Sequence, residues 1–280
     1  DSDAWLKHGF DATSLGLTTG SPPGYYASQN SLVEPQPSRF SEWNREFQEM
    51  LKQDPTGDSV PAFSTVRLMR DHTMGLNPGN SSPSAMMADN DYAVGELVEA
   101  VSKSPIWEST VIFIVEDDAQ FSNDHVDSHR SFAQVISPWI KKSTVDSRFY
   151  DTNSVLKSME LLLGLSPMSQ YDHYANPILG GWDSNPGNND VYTAILPPKD
   201  MIGEMNPGLG SYAPNSQLRR LAELSTTMNW SVADAAPYSL LNEILWKDAR
   251  GAFATVPGLR SSSLNLPGQQ REEQSDDDDD

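Results

Sequence analysis

A run of five apolar residues, VIFIV at 111–115, leads directly into the acidic triplet EDD at 116–118. A continuous apolar run of this length with β-branched residues is typical of a strand that is buried on both faces. Adjacent carboxylates repel one another, and burying one is costly unless a cation or hydrogen bonds compensate for its charge. The pattern therefore predicts a buried strand whose end carries either a metal site or a solvent-exposed turn.

Predicted helices and strands alternate along the rest of the chain. Trp43, Phe47 and Leu51 share one face of a helix that begins near Ser41, and Gly164 ends a later helix. In chain order, the pattern predicts a helix from 41, a strand at 63–69, a helix at 85–104, strands at 109–115 and 132–140, and helices at 154–164, 214–229 and 238–250. This order predicts the α/β class, with helices on both faces of a layered and mostly parallel sheet.

Composition divides the chain into three parts. Residues 1–37 are rich in Gly, Pro and Ser and are predicted to be loop, whereas residues 38–250 carry the predicted α/β domain. Residues 251–280 end in five consecutive aspartates, and such a charge run is typical of a solvated, disordered tail. We therefore expect one large domain followed by an acidic tail.

Charge and composition exclude several classes of function. The formal net charge of −20 disfavours nucleic acid as a partner, because the chain and the phosphates would repel each other. The absence of Cys excludes disulfides, thiolate metal sites and a Cys nucleophile. No apolar stretch approaches the roughly twenty residues that span a bilayer, and the first residues show no signal-peptide pattern. Because the chain begins with Asp, we expect it to be a processed or excised piece of a longer protein.

Acids and histidines gather after two predicted strands. In open α/β sheets, ligands bind beyond the carboxyl ends of the strands, and both Asp71-His72 and the triplet at 116–118 occupy that position. Carboxylate and imidazole groups together suit zinc, manganese or iron better than calcium, which prefers oxygen ligands alone. The candidate ligands of this predicted metal site are Asp71, His72, Asp117, Asp118, His125 and His129.

Simpler structural roles stay open for the same residues. An Asp-His pair is often a capped turn, and three acids at a strand end often form a solvent-exposed turn. Arg130 either contacts an anionic substrate or forms an ordinary ion pair. His8 and His173 do not lie near acids that follow a predicted strand, and both are interpreted as structural. Asp172-His173 is a weaker candidate for a ligand pair.

The stretch 107–138 resembles a known family. It carries, in order, a Trp-x-x-Thr motif, an apolar strand, an acidic pair, Asp-His-Val and Ile-Ser-Pro. These elements are Trp107 with Thr110, residues 111–115, Asp117-Asp118, Asp124-His125-Val126 and Ile136-Ser137-Pro138. With RDHTMG at 70–75, they resemble the phosphoesterases of the alkaline-phosphatase superfamily, most closely the bacterial phospholipase C and acid phosphatase type that is often fused to a β-propeller. The likeness covers about residues 38–250 and is densest over 63–178.

The resemblance implies a metal-dependent hydrolase of phosphate esters. A divalent metal ion, zinc, manganese or iron rather than calcium, binds a phosphate oxygen in such sites and orients an in-line displacement. The implied metal ligands are Asp117, Asp118, His125, Asp71 and Asp124. The implied catalytic residues, as further ligands or phosphate contacts, are His72, His129 and Arg130. A phosphate-ester substrate, a β-propeller partner and a periplasmic or extracellular location are also implied.

The chain also departs from the family's pattern. In this superfamily the first acidic ligand and the nucleophile lie in an N-terminal half, on the first strand and at a helix start. The hydroxyl cluster Thr18-Thr19-Gly20-Ser21 is not preceded by a predicted strand. We therefore expect this chain to be the C-terminal portion of such an enzyme, with half of the site. Two other interpretations stay open: a non-catalytic binding or accessory module with the superfamily fold, and a calcium-stabilised structural domain.

Overall fold

The computed structural model describes residues 39–68, 73–116, 131–185, 190–198, 200–201, 203–232 and 235–256. The helices are α1 (Arg39–Gln53), α2 (Pro83–Ser102), α3 (Thr152–Leu163), α4 (Gln170–Tyr174), α5 (Gln217–Thr226) and α6 (Tyr238–Arg250). The strands are β1 (Ile112–Val115) and β2 (Ala133–Ile136), and short 3-10 helices occupy Trp107–Ser109 and Leu209–Ser211. Within these ranges, no helix combines the length and the apolar character needed to cross a membrane.

The longer predicted helices are confirmed, and local signals explain where α2 and α3 begin and end. Ser82 caps the N terminus of α2, because its Oγ accepts a hydrogen bond from Ala85 N at 3.1 Å. Asp151 caps α3 by accepting from Ser154 N at 2.9 Å. Gly164 ends α3 with a φ of 67°, a left-handed conformation in which glycine has no steric penalty.

The apolar face of α1 packs on the end of α2 and on the segment before β1. Phe47, which is 2% exposed, shares a core cluster with Val101 and Trp107. Trp43 stacks on Phe47 with their ring centroids 5.0 Å apart. The apolar residues of the first predicted helix therefore form its buried face.

A second core cluster joins the two C-terminal helices to the segment that follows residues 69–72. Leu221 in α5 and Leu241 and Ile244 in α6 are almost completely buried, and Leu76 packs among them. Burying a side chain of this size contributes about 1.5–3 kcal/mol to stability. The segment around Leu76 is thus held in place by the C-terminal part of the chain.

β1 and β2 pair antiparallel, with Val115 opposite Ala133. Both strands are shorter than predicted, since a 3-10 helix precedes β1 and Pro138, which has no N–H for a sheet hydrogen bond, follows β2. The prediction that β1 is buried on both faces is wrong. Val115 is 43% exposed, and the other residues of β1 are only partly buried.

The predicted layered, mostly parallel sheet does not appear among the described residues. Their sheet has two strands, and these are antiparallel. The strand predicted at 63–69 is wrong over 63–68, which is irregular and mostly exposed. A strand needs a neighbour that satisfies its backbone N–H and C=O groups, and no strand of the described part pairs with 63–68. Helices and a small sheet together are compatible with the α/β class.

Candidate functional site

All eight residues that the sequence predicts as ligands or catalytic groups lie outside the described residues. Two of them, Asp71 and His72, fall in the segment 69–72. The other six fall in the segment 117–130: Asp117, Asp118, Asp124, His125, His129 and Arg130. The described residues on either side of the two segments show how the chain holds each segment at its ends.

The segment 117–130 forms most of the connection between β1 and β2. Because the strands pair antiparallel, this connection leaves and re-enters the sheet at the same end. Ser131 Oγ donates a hydrogen bond to Glu116 Oε2 at 3.2 Å and so joins the two ends. Hairpin loops usually have two to five residues, so this connection is longer than an ordinary hairpin turn.

Thr73 follows directly after the segment 69–72 and is 3% exposed. Its φ of 62° lies in the left-handed region, which is strained for a β-branched residue. Gly75 N donates a hydrogen bond to Thr73 Oγ1 at 3.3 Å. Strained backbone persists only where its surroundings over-determine it, and it is concentrated at functional sites. The backbone next to His72 is therefore held firmly on its C-terminal side.

Two side chains from distant parts of the chain hold this backbone. Asn206 Nδ2 donates to Gly75 O at 3.0 Å and to Asn77 O at 3.1 Å. Ser225, in α5, accepts a hydrogen bond from Leu76 N on its Oγ at 3.1 Å. The sequence analysis did not identify either residue, because each lies far along the chain from its partner. Asn206 is 131 positions from Gly75, and Ser225 is 149 positions from Leu76. A lone Asn in a Pro/Gly-rich stretch carries no local signal for such a role.

A pair of buried carboxyl groups, Glu160 in α3 and Asp172 in α4, joins these two helices. The two residues are 2% and 1% exposed. Asp172 Oδ2 accepts a hydrogen bond from Met168 N at 2.6 Å, and the Ser169 hydroxyl donates to Asp172 Oδ1. Glu160 Oε1 accepts from Met168 N at 3.3 Å. Asp172 is thus part of the structure of the α3–α4 corner, whereas His173 beside it is exposed.

The pKa values of the two carboxyl groups in this pair are shifted in opposite directions. Burial, followed by the hydrogen bond with Asp172, raises the pKa of Glu160. The Ser169 hydroxyl, followed by the hydrogen bond from Glu160, lowers the pKa of Asp172. Adjacent carboxyl groups ionise one after the other, because placing a second negative charge beside the first is costly. Glu160 is therefore the member that retains the proton, and Asp172 is the ionised one.

The described part of the chain contains no group of three or more Asp, Glu or His residues that could hold a metal ion. Motif residues there have structural roles instead. Thr110 Oγ1 donates to Ile106 O at 2.7 Å, and Ser137 Oγ donates to Thr110 O at 2.7 Å. These hydrogen bonds connect the N-terminal end of β1 to the C-terminal end of β2. They hold together the two strands that flank the segment 117–130.

A model of the phosphoesterase family matches residues 11–166, which are more than half of the chain. The chain belongs to the phosphoesterase family. The matched region includes the β1–β2 hairpin and all eight predicted site residues. It begins upstream of residue 38, where the α/β domain was predicted to start. The resemblance to phosphoesterases is thus confirmed at the level of the family. No curated protein and no solved structure matches the chain.

Membership of the phosphoesterase family implies hydrolysis as the reaction and a phosphate ester as the substrate. The chain has 39 acidic and 19 basic residues, so its overall field repels a phosphate. A phosphoesterase with this composition needs positive charge at the site itself. Arginine, lysine, protonated histidine and metal ions supply such charge in proteins.

Proposed function

We propose that this phosphoesterase is metal dependent and that Asp117, Asp118, His125, Asp71 and Asp124 hold a divalent ion. The observation that carries the proposal is the family match, which includes both segments that bear these residues. Carboxylate and imidazole groups form a donor set that fits zinc, manganese or iron. A bound ion supplies positive charge to phosphate oxygens, which the overall field of a chain of net charge −20 repels.

We assign the remaining predicted residues to the substrate phosphate. Arg130 presents a planar fork of N–H donors that matches two phosphate oxygens. His129 and His72 contact the phosphate or complete the ligand set, and a protonated imidazole there can donate a proton to the leaving oxygen. The hydrogen bond between Ser131 and Glu116 keeps the two residues that flank the segment 117–130 at one end of the sheet.

The proposal extends to the type of phosphoesterase. The ordered motif series from Trp107 to Pro138 supports a phospholipase C or acid phosphatase type, built on a layered and mostly parallel sheet. By the habit of that type, the protein acts in the periplasm or outside the cell and is associated with a β-propeller. Comparing the hydrolysis of p-nitrophenyl phosphate with that of bis(p-nitrophenyl) phosphate separates a monoesterase from a diesterase.

Elemental analysis of the purified chain tests the metal proposal. The wild type should contain stoichiometric zinc, manganese or iron, and Asp117→Asn/Asp118→Asn should lose it, because carboxamides are much weaker ligands than carboxylates. Hydrolysis of the two p-nitrophenyl esters, measured with and without added metal, should fall on the order of 100-fold in the same variant.

The matched control is Asp91→Asn/Asp200→Asn, which removes the same charge at two exposed positions and should retain both metal and activity. Equal metal content in the two double variants would contradict the ligand assignment. Stoichiometric calcium that survives His125→Ala would favour the calcium-stabilised structural domain. Metal binding without any turnover would fit both the accessory module and a chain that carries only half of the catalytic site.

A further inference from the structure

Residues 73–76, which follow Asp71 and His72 directly, are buried although they belong to no helix or strand. Thr73 is 3% exposed and Leu76 is 4% exposed. The backbone N–H and C=O groups of such a segment cannot turn to water, so other parts of the protein must supply their hydrogen-bond partners. The conformation of residues 73–76 is therefore decided by the side chains that supply those partners.

Asn206 is the first of these side chains and is itself buried. Its Nδ2 donates to Gly75 O at 3.0 Å and to Asn77 O at 3.1 Å. Its backbone pairs with the same stretch, since Asn206 N donates to Asn80 O at 2.7 Å and Gly79 N donates to Asn206 O at 3.2 Å. Asn206 thus holds residues 75–80 through its side chain and its backbone at once.

Ser225, in α5, is the second of these side chains and is completely buried. Its hydroxyl donates to Leu221 O at 3.0 Å, and its oxygen accepts from Leu76 N at 3.1 Å. Because the donated bond is to the preceding turn of the same helix, it fixes the direction in which the oxygen can accept. Leu76 also packs against Leu221 and Leu241 in the C-terminal core cluster. The position of Leu76 N is therefore set by α5.

We propose that Asn206 and Ser225 are positioning residues of the phosphoesterase site, which act through residues 73–76 on the segment that carries Asp71 and His72. Thr73, bonded to His72, has a φ of 62°, and such a backbone conformation persists only where its surroundings impose it. Removing a group that orients a metal ligand commonly lowers metal affinity or activity about 10–100-fold. The inference rests on the proposed function, which gives Asp71 and His72 their roles.

Calorimetric titration of the whole chain with zinc, and in parallel with manganese, tests the proposal by comparing Ser225→Ala with Ser158→Ala. Ser158 is also a buried helix serine, whose Oγ donates to Ser154 O at 2.7 Å and accepts from the distant Ile178 N at 2.8 Å. The two variants therefore lose equivalent hydrogen bonds. We expect Ser225→Ala to bind the metal about 10-fold more weakly and Ser158→Ala to bind it as the wild type does.

Asn206→Asp keeps the shape of the side chain but loses both N–H donors and places a negative charge beside carbonyl oxygens. It should weaken metal binding more than Ser225→Ala does. Equal losses of affinity in Ser225→Ala and Ser158→Ala would overturn the proposal, because they would reflect stability alone. Wild-type affinity in Ser225→Ala would overturn it as well, and this milder variant decides the matter even if Asn206→Asp does not fold.

The Cα and Cβ chemical shifts of Thr73, measured by NMR without metal, separate this inference from the proposed function. They report its left-handed backbone, and they should move toward extended values in Ser225→Ala but not in Ser158→Ala. A wild type that binds no metal would contradict the proposed metal site, and the Thr73 shifts would then decide whether Ser225 holds this backbone. Unchanged Thr73 shifts in Ser225→Ala would overturn the positioning role and leave the metal site standing.

Discussion

Gly75 shows how much a single backbone position can constrain this chain. Its φ is 55°, and a Cβ added to it would lie 2.9 Å from Ser225 Oγ, the atom that accepts the hydrogen bond from Leu76 N. We expect Gly75→Ala to lower the free energy of unfolding by about 2–3 kcal/mol. Left-handed backbone costs about 1–2 kcal/mol for a residue with a Cβ, and displacing Ser225 adds the loss of a buried hydrogen bond, about 1 kcal/mol. Urea denaturation followed by Trp fluorescence measures the change.

Gly79→Ala is the matched control, because Gly79 also has a positive φ, 80°, but an added Cβ would meet no atom within 4 Å. It should show the backbone cost alone, about 1–2 kcal/mol. The difference between the two variants isolates the contact with Ser225. Equal destabilisation would mean that Ser225 moves aside without cost.

At the scale of elements, the corner between α3 and α4 depends on the protonation of Glu160 and Asp172. The pKa of Glu160 is raised above its ordinary 4.5, so its contribution to stability is complete below pH 4.5 and is lost as the pH rises through the folded-state pKa. The pKa of Asp172 is lowered from 3.8, so its contribution is present above pH 3.8 and is lost as the pH falls through the folded-state pKa. Lys157, the other charged group that acts on Glu160, opposes the rise in pKa.

Glu160→Gln tests this dependence, because the carboxamide is neutral at every pH and can still donate a hydrogen bond to Asp172. We expect the stability of the variant relative to the wild type to increase as the pH rises from 4.5 through the folded-state pKa of Glu160, and to stay constant above it. Urea midpoints measured from pH 4 to pH 9 provide the comparison. Glu108→Gln, at an exposed position, should show no such trend. A constant difference between Glu160→Gln and the wild type at all pH values would rule out the protonated Glu160.

At the scale of the whole molecule, the net charge of −20 opposes folding through self-repulsion. The described ion pairs include three between residues four apart on one helix: Lys103 with Glu99, Arg219 with Glu223, and Lys247 with Glu243. Such local pairs contribute only about 0.3–0.5 kcal/mol each. They do not offset the excess of acids.

Salt should therefore stabilise this protein. Raising sodium chloride from 0.1 M to 1 M shortens the Debye length from about 10 Å to about 3 Å and screens the repulsion between acids. We expect the midpoint of urea denaturation to rise over this range. Replacing Asp276 to Asp280 with Asn reports how much of the effect comes from the acidic C terminus. A midpoint that falls with salt would show that local ion pairs outweigh the repulsion.

The helices could be predicted because helix signals are local. The family could be predicted because its motifs occur in a fixed order along the chain. Trp43 and Phe47 mark one face of α1 within a single turn, and Gly164 ends α3 at the expected position. The phosphoesterase motifs form an ordered series that needs no knowledge of contacts. The candidate site residues rest on the same series and on the family match.

The sheet and the buried polar groups could not be predicted in the same way. Residue type predicts that Leu161 and Leu162 are buried and that Glu160 is exposed. The structure shows the reverse, with Leu161 59% and Leu162 52% exposed and Glu160 2% exposed. The reason is that α4 packs on the side of α3 that carries Glu160, where Met168 and Asp172 supply its polar neighbours.

The amino-acid sequence by itself determined where the main helices lie and to which family this protein belongs, because helix signals act within a few residues and motifs persist as an order of residues. Only the tertiary structure decided that β1 is partly buried, that Asn206 and Ser225 hold the backbone after His72, and that Glu160 is buried. The stability of a buried strand or polar group depends on the partners that folding brings beside it. Those partners come from distant parts of the chain, where no local pattern records them.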